Sequence, residues 1–193
     1  MAQLIQAGMF LIDTVFTFFI LSVLLRILLE AIRADFYNPI SQMVLKATNF
    51  MLLPVRRIVP PYYGIDWASG ILVLILAFFK EGALILLSTG TWGSPFGLLL
   101  LGLADVLDLL FYIYLFALIA VAVSNWLNPA NVNPLIQIAS QITAPLLKRF
   151  RNFLPAFGGF DLSFFLLTIL LILFNILIIQ TIAHLGVILL IST

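Results

Sequence analysis

A set of polar and turn-forming residues recurs in order at one fixed offset of 95 residues, and aligning the two copies needs no gap. Asn38-Pro39, Gln42, Thr48, Arg56, Pro60, Gly64 and Asp66 return as Asn133-Pro134, Gln137, Thr143, Arg151, Pro155, Gly159 and Asp161. Self-similarity at a constant period means that one supersecondary unit is used twice. The match is informative because it falls in the most polar stretch of an apolar chain. Greasy segments resemble each other by composition alone, whereas Asn, Arg, Pro and Asp held in register do not. The repeat predicts two units, 1–95 and 96–193.

The medium follows from composition. Apolar residues make up 64% of the 193 positions, charged residues 9%, and the mean hydropathy is +1.23. A water-soluble domain carries about a quarter of its residues charged, so this chain belongs in a bilayer. With no cysteine and one histidine, disulfides, thiol chemistry and cysteine metal sites are excluded.

Crossing the hydrocarbon takes roughly 20 helical residues. Four runs suffice, near Leu4–Leu29, Trp67–Leu87, Leu98–Trp126 and Leu162–Leu190. The first run has no basic region before it and is too long for a cleaved signal, so it is expected to be an uncleaved span. The fold class expected is therefore an all-α integral membrane protein. It has four transmembrane helices in two tandem repeats of the same orientation, because each repeat contributes an even number of spans.

Arg26, Arg33, Lys46, Arg56 and Arg57 lie at or in the loop between spans one and two, and Lys148, Arg149 and Arg151 in the loop between spans three and four. The positive-inside rule then puts both long loops in the cytoplasm and both termini outside.

Each loop opens on Asn-Pro, a helix-start signal in which Asn38 or Asn133 caps and Pro suits the first turn. Ile40, Met43, Val44, Ala47 and Met51 predict one apolar stripe, and Leu135, Ile138, Ala139, Ile142 and Leu146 occupy the same slots in the second copy. A one-striped helix tethered beside a span is expected to lie in the headgroup boundary. Lys46, Arg56, Arg57, Lys148, Arg149 and Arg151 are the candidate binding residues for anionic phospholipid or a protein partner. Near an anionic leaflet each exposed base is worth about 1 kcal/mol. The competing reading is that these bases only fix topology. Asp66 and Asp161 stand where the N-caps of the following spans belong.

The same register relates intramembrane groups, Asp13 to Asp108 and Lys80 to Asn175. At about 1.5 Å of rise per residue, all four share a layer roughly 20 Å from the basic end. An unpaired charge at that depth is costly. Lys80 is therefore expected to pair with Asp13 or Asp108, with Asp105 nearby and Glu81 pointing away. The layer serves either as packing glue or as an ion path. His184 is expected near the outer surface as an interfacial side chain. No nucleophile elbow, phosphate-binding glycine loop or zinc-protease motif occurs in the sequence, so a non-enzyme without cofactor, metal or nucleic-acid partner is expected; oligomeric state stays open.

Asp35-Phe36-Tyr37-Asn38-Pro39-Ile40-Ser41-Gln42, Pro54-Val55-Arg56-Arg57-Ile58-Val59-Pro60-Pro61 and Gly64-Ile65-Asp66 resemble the YggT (YlmG-like) family of small bacterial membrane proteins. The second copy matches through Thr143-Ala144-Pro145-Leu146-Leu147, Arg151, Pro155 and Gly158-Gly159-Phe160-Asp161-Leu162-Ser163. The chain departs from the family pattern at Asn49-Phe50 and at Asn152. The resemblance implies a two-repeat inner-membrane protein of Gram-negative type. It links relatives to osmotic stress and potassium shortage, to cell division and envelope organisation, and in plastids to cytochrome cofactor assembly. The expectation drawn is a membrane scaffold contributing to osmotic or envelope homeostasis. The alternatives are a potassium or proton transporter that uses the polar layer, and an assembly factor for a membrane complex.

Overall fold

The computed structural model describes residues 2–34, 37–60, 66–127, 133–151 and 162–191. Long apolar runs without interior breakers become four long helices: α1 (Ala2–Ala31), α3 (Trp67–Thr89), α4 (Pro95–Leu127) and α6 (Leu162–Ile191). In each, only 17–33% of the most apolar stretch is buried within the chain. The remainder is apolar surface of the kind a bilayer covers.

The two loops supply α2 (Pro39–Ile58) and α5 (Pro134–Arg151). Asn38 takes an extended conformation and its side-chain oxygen accepts the Ile40 amide at 2.9 Å. Asn133 accepts the Leu135 amide at 2.9 Å. Proline follows at once in both, where its missing N–H costs nothing. α2 packs on α1 and α3, and α5 on α4 and α6. The two also touch each other, with Asn38 Nδ2 donating to the Pro134 carbonyl at 3.1 Å. Both loop helices therefore sit at the same end of the bundle, as two copies of one orientation require.

The buried face of α2 is Ser41, Val44, Thr48 and Leu52, rotated from the predicted stripe. Met43 (65% exposed) and Ala47 point outward, joined by Phe50 (63% exposed). At about 100° per residue, α2 has three faces rather than two. One packs on the spans, one is apolar and exposed, and one carries Gln42, Lys46, Asn49 and Arg57. A periodicity analysis sees only apolar against polar, so it merged the first two. In α5 the buried residues are Ile138, Ile142, Thr143 and Leu147, while Leu135 is exposed.

Glycine brings the spans close from mid-span to the opposite end. A Cβ on Gly102 would meet the Ala77 backbone at 3.1 Å, and one on Gly97 the Gly186 carbonyl at 3.1 Å. Ser94 Oγ donates to the Leu189 carbonyl there at 2.9 Å. Lipid gives no hydrophobic drive between helices, so small residues and interhelical hydrogen bonds do this work. α3 turns into α4 through Gly90, whose φ of +78° needs a residue without Cβ strain.

Candidate functional site

Polar groups collect at two levels. At the loop end of the first repeat, Arg26 is 4% exposed between α1 and α2. Its Nε donates to Glu30 at 3.1 Å, and its Nη1 donates to Thr48 Oγ1 at 2.9 Å and Asn49 Oδ1 at 2.7 Å. Arg56 bridges from α2, donating to Glu30 at 3.1 Å and to Asp66 at 2.7 Å. One chain of charges thus stitches three helices, and a buried guanidinium is tolerable because it is paired.

Asp66 corrects an expectation. It occupies the N-cap position of α3, but its side chain makes no capping bond to a backbone amide. The carboxylate goes instead to Arg56 and to the Ser69 hydroxyl. Burial alone would raise its pKa; the Arg56 and Ser69 hydrogen bonds outweigh that and hold it below the ordinary 3.8. Asp161, its counterpart, lies outside the described residues, as do Pro155 and Gly159.

In the second repeat, Arg151 stacks on the Phe164 ring with the guanidinium carbon 5.8 Å from the centroid. Lys148 and Arg149 are exposed on the last turns of α5; on α2 Arg57 is exposed on the last turn and Lys46 near the middle.

The second level lies inside the spans. Lys80, 4% exposed, makes ion pairs with Asp13 at 3.0 Å and Asp105 at 2.9 Å, and donates to Thr17 at 3.3 Å. Asp108 is not its partner; Asn175 Nδ2 donates to Asp108 at 2.6 Å. The four residues of the expected layer thus form two pairs, one per repeat, each joining the first span to the second. The repeat register carried this answer, because pairing Asp13 with Lys80 implies pairing Asp108 with Asn175. Glu81, expected to point away, brings Oε1 to 3.9 Å from Lys80 Nζ. Asp13 stays 53% exposed on the outside of the bundle. Asn175 opens a π-helical turn, Asn175–Ile179, in which the Gln180 amide reaches back to the Asn175 carbonyl.

Sequence reasoning missed Arg26, which it treated as a base marking the loop edge. Its signal was its position: an arginine still inside the apolar run, with Glu30 at i+4, pairs within a helix. No group of three or more metal-ligating side chains forms among the described residues, and His184 is exposed.

Four membrane-crossing helices in two tandem hairpins, each with a further helix across its basic end, define a multi-pass α-helical membrane protein. The model of the CCB3/YggT family matches the chain twice, over 5–87 and 100–182, and the two matches are displaced by the repeat offset at both ends. The chain belongs to that family. It is 39% identical to an uncharacterized protein of Pseudomonas aeruginosa over 184 residues, covering 95% of this chain and 93% of the relative. It is 34% identical to the uncharacterized protein YggT of Escherichia coli K12 over 166 residues, covering 86% of each chain. An uncharacterized protein of Haemophilus influenzae is 31% identical over 173 residues, covering 90% of this chain and 91% of its own length. No solved structure matches.

Proposed function

We propose that this protein is a non-enzymatic scaffold of the bacterial inner membrane, with both loops cytoplasmic and both termini periplasmic. α2 and α5 hold the anionic inner leaflet through Lys46, Arg57, Lys148 and Arg149 and present a docking surface to a partner, in support of osmotic or envelope homeostasis. The observation that carries this reading is the three-faced α2. One face is locked to the spans by the Arg26–Glu30–Arg56–Asp66 chain, and the remaining surface pairs exposed apolar residues with exposed bases. A helix of that composition suits a headgroup boundary. Four exposed bases at one surface contribute roughly 4 kcal/mol if all engage.

Replacing Lys46, Arg57, Lys148 and Arg149 together by Gln is expected to leave insertion intact and abolish complementation of a deletion strain under osmotic stress. Full complementation by the variant would remove the proposal. A second reading has its own observation: three carboxylates, Asp13, Glu81 and Asp105, surround one Lys80. Intramembrane ionisable groups often mark ion or proton paths. Potassium and proton flux into proteoliposomes above that of empty vesicles would favour it over the scaffold.

A further inference from the structure

The half of α1 far from the basic end carries a polar stripe on its outer surface. Among residues 2–17 the polar side chains are Gln3, Gln6, Asp13, Thr14 and Thr17. At about 100° per residue they fall within one arc of roughly 100°, which otherwise holds only Phe10. Gln3, Gln6, Asp13 and Thr14 are exposed, and Phe10 is 69% exposed. Counted from Arg26 at about 1.5 Å per residue, Gln6 reaches the far boundary of a hydrocarbon layer about 30 Å thick, and Asp13 and Thr14 lie roughly 10 Å inside it. In α4 the positions matching Gln3, Gln6 and Thr14 hold Leu98, Leu101 and Leu109. Leu98 is fully buried, and Leu109 packs on the cluster around Ile20 and Ala77. The arc is therefore apolar where the chain covers it and polar where the chain leaves it open, the reverse of what acyl chains favour. Two hydrogen-bonding needs stay unmet on it. Asp13 meets Lys80 at 3.0 Å, yet its side chain is 53% exposed, and a carboxylate accepts at up to about four positions. Thr14 makes no hydrogen bond among the described residues, whereas Ser22, Thr168 and Thr181 each donate to the carbonyl four residues back. Lipid tails supply neither donor nor acceptor.

We infer that this arc is the contact between two copies of the chain, with α1 meeting α1 about a symmetry axis along the membrane normal. Two copies in one bilayer share an orientation, so the helices run parallel. Phe10 and Thr17 lie about 10° to either side of the arc's mid-line, and Asp13 and Thr14 form its two edges, about 50° to either side. Across a parallel pair each edge of one helix faces the opposite edge of the other. Asp13 of each copy therefore faces Thr14 of the other at nearly the same depth, and the two carboxylates stay apart. Each Thr14 hydroxyl donates to a carboxylate whose charge Lys80 of its own chain already offsets. Gln3 and Gln6, which both donate and accept, meet their own counterparts at the rim. A foreign span bearing a base fits less well, because Lys80 supplies the cation and the missing group is a neutral donor. Below Thr17 the chain's own core closes the arc at Leu24 and Leu28, which confines the contact to the far half. The pairing requires only that α1 crosses the bilayer; it is independent of the loop helices and of any docked partner.

The test uses the full chain in proteoliposomes. Energy transfer between donor- and acceptor-labelled copies, followed as lipid is added, gives the dimer affinity. Thr14→Val removes two interhelical hydrogen bonds per dimer and is expected to weaken association about tenfold while the melting temperature holds. Thr14→Ser, which keeps the hydroxyl, is expected to associate as the wild type does. The chain has no cysteine, so single replacements then locate the contact. Under a mild oxidant Phe10→Cys is expected to yield a disulfide-linked dimer. Val15→Cys, also exposed but about 150° round the helix from the mid-line, is expected to stay monomeric. Energy transfer no greater than random crowding gives, unchanged affinity of Thr14→Val, or equal cross-linking at Val15→Cys overturns the pairing. So does a dimer in which Phe10→Cys fails to cross-link, which would mark a head-to-tail contact with another span.

Discussion

The two repeats share a frame and differ in what fills it. The first is held by charge at both levels, through Arg26, Glu30, Arg56 and Asp66 at the loop end and Asp13, Lys80 and Asp105 inside the spans. The second replaces Lys80 with Asn175 and Arg26 with Val121, so a neutral amide bonds a carboxylate within the spans and a cavity opens at the loop end. Duplication therefore fixed the path of the backbone and left the side chains free to divide the work. One copy is sealed by ion pairs, and the other borders a cavity among the described residues.

Removing the intramembrane cation should separate the copies most sharply. Lys80→Met leaves Asp13, Glu81 and Asp105 together in a low-dielectric layer. Breaking a buried pair by deleting one partner costs about 3–5 kcal/mol. Asn175→Leu, the same position in the other copy, removes one interhelical hydrogen bond worth about 0.6–1.7 kcal/mol. Denaturation in detergent–SDS mixtures measures both, and equal losses would break the comparison. Lys80→Met combined with Asp105→Leu is expected to recover part of the deficit.

A smaller effect is expected at the loop end. Arg26→Leu leaves Glu30 with one cationic partner instead of two and strips Thr48 and Asn49 of a donor, at a cost of about 1–3 kcal/mol for the unmade bonds. Val121→Leu, at the matching site, fills part of a cavity and is expected to be neutral or slightly stabilising. Hydrogen exchange across α2 and α5 reads the two separately.

The smallest effect is a pH dependence of α2 docking. The folded pKa of Asp66 is depressed, so its contribution is fully present above 3.8, the ordinary value, and is lost as pH falls through the lower folded value. Trp67 fluorescence followed from about pH 5 down to about pH 2 should report the release, and Asp66→Asn should abolish the transition.

Much of the frame was legible because its causes are local or periodic. The 95-residue register, four spans of sufficient length and the Asn-Pro starts all follow from spacing and from one-residue chemistry. What escaped depends on approach in three dimensions. Asp66 has the residue type and position of a cap, and only the arrival of Arg56 from ten residues upstream diverts it. The buried face of α2 includes Ser41 and Thr48, which no hydropathy count selects, because small side chains fit against a neighbouring helix; Thr48 also bonds its own turn, its Oγ1 donating to the Val44 carbonyl at 2.8 Å. The cavity of the second repeat was recoverable only by asking, position by position, what the copy had lost.

The π-helical turn in α6 has a geometric consequence. Leu171 lies before it, Ile179 closes it and Ala183 follows it, and all three pack on the same α4 cluster of Ala104 and Phe111. In an unbroken α-helix, Leu171 and Ile179 would stand about 80° apart in phase. The turn takes up the surplus rotation and brings the far half of the helix back into step, so that Gly186 meets Leu101. Deleting one residue there is expected to close the turn into regular α-helix with the outer half still in step, because seven residues advance about 700°, which makes this short irregularity the vernier that aligns the last span with its neighbour.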